Sequence, residues 1–252
     1  MEKKINENIL VSVIIPAYNC EQFIRQTIES VLMQQVPLEV IVINDCSTDG
    51  TENVIKTFRD QSLIRYVRNE KNLGVAETRN RGVRLAKGKY VAFLDSDDWW
   101  EPDKLKKQLE MIEREKVVLC STARALVDAD GKPIGKVIPA KETIVYKDLL
   151  RHNCINCSSV LLLRKVALEF PMEFEDSHED YITWLRILKK YGKACAINEP
   201  LLKYRLTSNS KSGSGWTSAK MTFKSYRYMG FGWGKTILCF CSYVLHGLWK
   251  YR

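Results

Sequence analysis

Short apolar runs alternate with stretches of helical periodicity from residue 9 to about 116. Ile9–Tyr18 (ILVSVIIPAY) is a β-branched run of the kind shown by a strand covered on both faces. Asn19 is placed to cap a helix from about Glu21 to Gln34, with Phe23, Ile24, Ile28, Val31 and Leu32 on one face. Val40–Asn44 predicts a second strand. A helix opening at Asp49 or Thr51 carries Val54, Ile55 and Phe58, and Leu63–Val67 predicts a third strand. Gly74–Ala86 has Val75, Arg79 and Val83 at helical spacing, closed by Gly88. Tyr90–Leu94 predicts a fourth strand, and Pro102 suits the first turn of a helix carrying Leu105, Leu109 and Ile112. Strands alternating with helices across short loops imply a parallel sheet with right-handed crossovers.

Past Lys116 the pattern changes. Val117–Val127 predicts a strand, Asp128–Lys132 (DADGK) a turn, Ser158–Leu163 another strand, and Glu179–Tyr191 an amphipathic helix through Ile182, Leu185 and Leu188. There is no internal repeat and no low-complexity linker, so both halves are expected to share one sheet.

Two of the predicted strands end in acids. Asp45 follows the second, and Asp95-Ser96-Asp97-Asp98 follows the fourth. A parallel sheet brings such ends to one edge, where ligands of α/β proteins bind. Carboxylates crowded there repel one another, and a hard divalent cation, Mg²⁺ or Mn²⁺, offsets them while keeping positions open for phosphates. An Asp-rich turn capping the next helix is the plainer alternative. The chain has no GxxxxGK[ST] motif, and Pro16-Ala17-Tyr18-Asn19 stands where a dinucleotide fold would carry GxGxxG.

At 252 residues, 45% hydrophobic and 27% charged, the composition is that of an ordinary globular protein. The start, MEKKINENIL, is polar and lacks an apolar signal core, so no secretion is expected. Eight scattered cysteines then read as reduced thiols, and Cys154-Ile-Asn-Cys157 lacks the second pair that a zinc site needs. The net charge of +9 is local. No Asp or Glu follows Glu199, and residues 201–252 carry nine Lys and Arg, so the first 200 residues are neutral overall. That argues against a nucleic-acid footprint on the body and for one anionic partner surface near the C-terminus.

Five segments, in order, resemble the family 2 glycosyltransferases: VSVIIPAYNCEQFIRQTIESVLMQ, EVIVINDCSTDGT, NLGVAETRNRG, YVAFLDSDDWW and HEDYITWLRIL. The resemblance covers roughly residues 9–210. It implies a GT-A fold, a Rossmann-like and mostly parallel sheet flanked by helices, and inverting transfer from a nucleotide-diphospho-sugar assisted by Mn²⁺ or Mg²⁺. It further implies that Pro16, Ala17, Tyr18 and Asp45 cradle the base and ribose. Asp95, Ser96 and Asp97 form the Asp-x-Asp segment, with Asp97 the direct metal ligand and Asp95 near the ribose or metal. Arg79 matches a position that reaches the nucleotide. Asp180 matches the general base, although two acids in a first helical turn also have a purely structural use against the helix dipole. Cys46 stands where the family commonly has glycine, and Glu77-Thr78 where it has small residues.

Several neighbouring side chains carry two readings each. His178 orients the base or faces solvent; His152-Asn153 shapes the acceptor pocket; Trp99 and Trp100 stack on sugar or are buried. Arg205, within Tyr204-Arg205 and Ser208-Asn209-Ser210, approaches the diphosphate or pairs at the surface. Residues 1–210 thus read as the catalytic domain, nucleotide half to about 116 and acceptor half after it, and 211–252 as a basic, aromatic tail. Ile237, Leu238, Cys241, Val244, Leu245, Leu248 and Trp249 fall on one helical face of that tail. The apolar stretch is too short to span a bilayer, so it either packs on the domain or lies in a membrane interface. The expected acceptor is a polysaccharide or lipid-linked oligosaccharide precursor, met by a cytoplasmic enzyme peripheral at the inner face of the membrane. A sugar-nucleotidyltransferase and a silent nucleotide-sugar-binding protein are the rival readings.

Overall fold

The computed structural model describes residues 9–58, 60–207 and 215–250. Ten strands form one sheet: β1 (Val11–Ala17), β2 (Leu38–Asn44), β3 (Ile64–Arg68), β4 (Tyr90–Phe93), β5 (Trp99–Trp100), β6 (Leu119–Val127), β7 (Pro133–Ile138), β8 (Thr143–Val145), β9 (Leu161–Leu163) and β10 (Lys193–Arg205). The order is β3-β2-β1-β4-β9-β6-β10-β5, with β7 beside β6 and β8 beside β10. The nucleotide half, β3 to β4, is parallel as predicted. Beyond it, where the sequence pattern changes, the mostly parallel sheet becomes mixed: β9 runs antiparallel to both β4 and β6, while β6 and β10 run parallel. The two halves do share one sheet.

Every residue of β1 and β2 is buried, which explains their unbroken apolar character: helices cover both faces. On one side α1 (Ile24–Leu32), α2 (Thr51–Lys56) and α4 (Lys104–Glu115) bury Ile24, Ile28, Ile55, Leu105 and Ile112 with Val13 and Ile15. On the other α3 (Val75–Leu85), α5 (Tyr146–Arg151), α6 (Arg164–Glu169) and α7 (Glu179–Tyr191) bury Val83, Leu149, Val166 and Trp184 with Ile14 and Ile43. Helix α3 lies close on the sheet because Gly82 has no side chain: a Cβ there would sit 2.4 Å from Ile14 Cγ2.

Boundaries moved where local chemistry competes with periodicity. Helix α1 starts at Ile24 rather than Glu21, because Asn19 takes a left-handed φ of 47° and its Oδ1 accepts from the Thr48 N–H (2.8 Å) instead of capping. Helix α3 closes at an extended Ala86. Gly88, predicted to close it, instead lets β1 approach, a Cβ there falling 2.7 Å from Ser12 N. Pro102 precedes α4 rather than occupying its first turn. Cys157–Ser159 is a 3₁₀ turn, which shortens the strand predicted from Ser158 to Leu161–Leu163.

Lys104 is wholly buried under this layer. Its Nζ donates to Gln108 Oε1 (2.7 Å) and sits 3.9 Å from the Trp100 ring centroid. Burial pulls its pKa down to about 7. Below the free-lysine value the unfolded chain holds a proton that the folded chain gives up until about pH 7, so this site opposes folding most at and below neutrality. Raising the pH from 7 to 9 should stabilise the native chain relative to Lys104→Met by about 2 kcal/mol, read from urea midpoints at the two pH values. Parallel pH curves for the two proteins would refute this.

Two helices complete the chain, α8 (Gly215–Tyr228) and α9 (Trp233–Lys250). Helix α8 packs on α7 and α5 through a fully buried Tyr226, whose hydroxyl donates to Leu150 O (2.8 Å) and lies 3.0 Å from the Tyr181 hydroxyl.

Candidate active site

The nine residues to which the resemblance assigns donor, metal or base roles, Pro16, Ala17, Tyr18, Asp45, Arg79, Asp95, Ser96, Asp97 and Asp180, line one cavity of about 970 Å³. They come from five separate segments. The carboxyl ends of β1, β2 and β4 supply most of them, as the topology rule requires, and the second turn of α3 and the first turn of α7 supply the rest.

The β1 loop is zipped to the β2 loop. Asn19 N–H donates to Ser47 Oγ (3.0 Å), Cys20 N–H to Thr51 Oγ1 (2.8 Å) and Gly50 N–H to Glu21 Oε2 (2.6 Å). Tyr18, half exposed, rims the cavity above them. Asp45 is nearly buried and organises the entrance to α3: its Oδ1 accepts from Asn69 Nδ2 (2.6 Å) and Leu73 N–H (2.8 Å), its Oδ2 from Gly74 N–H (2.9 Å). Gly74, at φ 82°, is the turn that permits this. Cys46 also adopts a left-handed φ, 63°, which gives a steric reason for glycine at the matching place in the resembled family.

Asp95 and Asp97 face the cavity, and Asp98 does not. Burial first, and the Asp95 charge second, push Asp97 up to about 6. Burial, then Asp97 and Asp95, push Asp98 well above the ordinary carboxylate range, and its Oδ1 accepts from Arg205 N–H (2.9 Å). Asp98 therefore turns inward to the sheet, and the three crowded acids read from the sequence reduce to two in the cavity. A pair of hard oxygen donors that repel each other is the kind of site that would suit Mg²⁺ or Mn²⁺. Among the described residues no group of three or more His, Cys, Asp or Glu could hold a metal by itself.

Arg79 lines the cavity with its guanidinium engaged by two carboxylates. It is 4% exposed; one terminal nitrogen bonds Asp95 Oδ1 (2.5 Å) and the other Glu179 Oε1 (2.8 Å). It ties the Asp-x-Asp loop to the first turn of α7. Asp180 follows Glu179 and lines the cavity, its Oδ1 accepting from the Tyr181 N–H (2.7 Å). Burial, then the charge of Glu179, push Asp180 up to about 7.

Arg205 is likewise committed. Its guanidinium bonds Asp97 O (2.9 Å), Ala129 O (2.7 Å) and Gln26 Oε1 (2.7 Å), between the rings of Phe23 and Trp99. It braces the Asp97 backbone rather than standing open to a diphosphate. Trp100 is buried, its Nε1 donating to Ser158 O (2.7 Å). His178 Nε2 lies 3.2 Å from Ser218 O on α8, and His152 and Asn153 line the cavity. Ser208, Asn209, Ser210 and Gly213 fall outside the described residues.

Sequence reasoning missed Glu175 and the α8–α9 wall. Glu175 Oε2 accepts from Ala76 N–H (2.8 Å) at the start of α3, a contact across 99 residues that no local pattern encodes. Ser218, Met221 and Tyr243 close the end of the cavity near Asp180; all three lie within the segment 211–252 read from the sequence as a tail.

The family model described as Glycosyl transferase family 2 matches residues 12–169. A putative teichuronic acid biosynthesis glycosyltransferase, TuaG of Bacillus subtilis, is 39% identical over 244 residues, covering 96% of this chain and 97% of that one. A UDP-Glc:alpha-D-GlcNAc-diphosphoundecaprenol beta-1,3-glucosyltransferase, WfaP of Escherichia coli, is 35% identical over 243 residues, covering 96% and 95%. Among solved structures, S. aureus TarS 1-349 in complex with UDP-GlcNAc superposes with a TM-score of 0.72 at 20% identity; 87% of this chain covers 65% of that one, just under two thirds. The mannosyltransferase PcManGT from Pyrobaculum calidifontis, in complex with GDP-Man and Mn²⁺, gives 0.70 at 18%, covering 94% and 70%. At those identities the likeness is one of fold, and the fold is GT-A. With the family model spanning more than half of its length and close relatives along nearly all of it, the chain belongs to the family 2 glycosyltransferases and is a glycosyltransferase.

Proposed function

We propose that this enzyme transfers a sugar, with inversion, from a nucleoside-diphosphate sugar to a hydroxyl of a lipid-linked or polysaccharide precursor at the inner face of a membrane. The observation that carries the reading is the meeting of Asp45, Asp95, Asp97 and Asp180 in one cavity. The names of two relatives, one assigned to teichuronic acid biosynthesis and one to a diphosphoundecaprenol-linked acceptor, support the acceptor class.

The zipped β1 and β2 loops, with Pro16, Ala17, Tyr18 and Asp45, would receive base and ribose. Asp95 and Asp97 would hold Mn²⁺ or Mg²⁺, which supplies charge neutralisation as the diphosphate departs. Ser96 O is pinned by Thr27 Oγ1 (2.9 Å), which fixes the loop between the two acids. Asp180, whose proton affinity sits near neutrality, would take the proton from the attacking hydroxyl. Arg79 fixes the spacing between the two tasks, since it grips Asp95 on the donor side and Glu179 beside the base.

Thermal melting against UDP-, GDP- and dTDP-sugars with Mn²⁺ tests the donor half. At a hundredfold excess over Kd, one donor should raise the melting temperature by about 5–10 °C. Chelation, or Asp97→Asn, should erase the metal-dependent part. If no nucleotide sugar moves the transition with metal present, the donor assignment is wrong.

A further inference from the structure

Helix α9 is apolar on both of its faces. Thr236, Cys239, Phe240 and Tyr243 turn inward, Phe240 meeting Phe223 at 5.6 Å and Tyr243 meeting Tyr181 at 6.1 Å between ring centroids. The opposite face presents Ile237, Leu238, Cys241, Val244 and Leu245 to solvent, Leu238 at 73% exposure and Leu245 at 63%. From 233 to 245 Lys235 is the single charged residue. An ordinary surface helix would place polar side chains on that outer stripe. Trp233 and, on α8, Trp216 are also exposed, at 65% and 83%.

The surrounding charge selects the occupant. Residues 215–252 hold six Lys and Arg and no Asp or Glu. Lys220, Arg227 and Lys235 are exposed, and the Arg227 guanidinium lies over the Trp233 ring at 4.5 Å. A second copy of the chain would bring like charge against like charge. An anionic lipid surface instead meets the cations at its headgroups and the apolar stripe just beneath them, with tryptophans at the boundary. No helix of the described residues is long and apolar enough to cross a membrane, which leaves α9 the geometry of lying flat.

We propose that the outer face of α9, with Trp233 and Trp216, docks on an anionic phospholipid surface. Tyr243 of α9 and Ser218 and Met221 of α8 also wall the cavity that holds Asp180, so the docked helices set that end of the cavity beside the bilayer. The docking surface stands without the transferase reading; its use in meeting a lipid-linked acceptor rests on that reading.

Flotation of the full chain with phosphatidylglycerol–phosphatidylethanolamine vesicles, against phosphatidylcholine vesicles, tests it. The native chain should bind the anionic vesicles, release at high salt, and bind phosphatidylcholine far less. The double variant Leu238→Glu, Leu245→Glu should lower partitioning at least about tenfold while keeping the native circular dichroism and the Mn²⁺-dependent thermal response to nucleotide sugar. The proposal is overturned if the native chain fails to float with anionic vesicles, if it floats equally on both kinds, or if the folded variant floats like the native chain. It is also overturned if sedimentation shows a native dimer that the variant splits without any change in flotation. Should flotation behave as expected while no nucleotide sugar binds, the donor assignment fails and the docking surface remains.

Discussion

Asp180→Asn should lower the transfer activity by about 10²–10⁴-fold in kcat and leave the thermal response to donor unchanged. The amide keeps the shape of the side chain and still accepts from the Tyr181 N–H through its oxygen, so the loss is one of proton affinity. The pH profile separates this from misfolding. Native kcat/KM should fall about tenfold per unit below pH 7, where burial and Glu179 keep Asp180 protonated, and the residual rate of the variant should lack that limb. The sign for stability is opposite. Between the ordinary aspartate range and pH 7 the unfolded carboxyl is ionised while the folded one retains its proton, so Asp180 opposes folding increasingly up to about pH 7 and fully above it. The variant should therefore be the more stable protein at pH 8. Near-native turnover, or an unaltered limb, would remove Asp180 from the mechanism.

Arg79→Met should cost about 3–5 kcal/mol in urea unfolding. Two carboxylates bond this one guanidinium, and the Glu179 side chain is only 7% exposed, so water is poorly placed to take over the lost pairing. Glu179→Gln in the Arg79→Met background should restore part of the loss, because it removes a buried negative charge that has lost the Arg79 guanidinium. If the single variant loses less than about 1 kcal/mol, within the range of surface pairs, the bridge is decorative and Asp95 and α7 are positioned by packing alone.

The parts of the fold read correctly from sequence are those whose signal is local. Strands β1 and β2 are buried on both faces, and a solid apolar run has no other use in a chain of this composition. The acids at strand ends were legible because a parallel sheet converts separate sequence positions into one edge. Other features depend on distant partners. Strand β9 is three residues long and owes its place to β4 and β6 rather than to its own pattern. Arg205 carries two readings in the sequence, diphosphate contact or surface pairing, because Gln26, Ala129 and Asp97 lie far from it along the chain. Asp98 is indistinguishable from Asp97 by residue type, and partners distant in sequence, the Arg205 N–H of β10 and the Thr27 hydroxyl, hold it inward. On α9 the periodicity identified an apolar face, of which Ile237, Leu238, Cys241, Val244 and Leu245 fall among the side chains described and Leu248 and Trp249 outside them, but a second one, built from Thr236, Cys239, Phe240 and Tyr243, does the packing.

Strand β9 also sets a schedule for synthesis. It is the single strand between β4 and β6, yet Leu161 leaves the ribosome 68 residues after Phe93. At roughly 5–20 residues per second, the growing chain would carry an uncovered β4 margin for about 3–14 s. Throughout that interval the nascent first half exposes a row of unpaired amides and carbonyls to any neighbouring strand, which makes it the stage at which chaperone demand should peak.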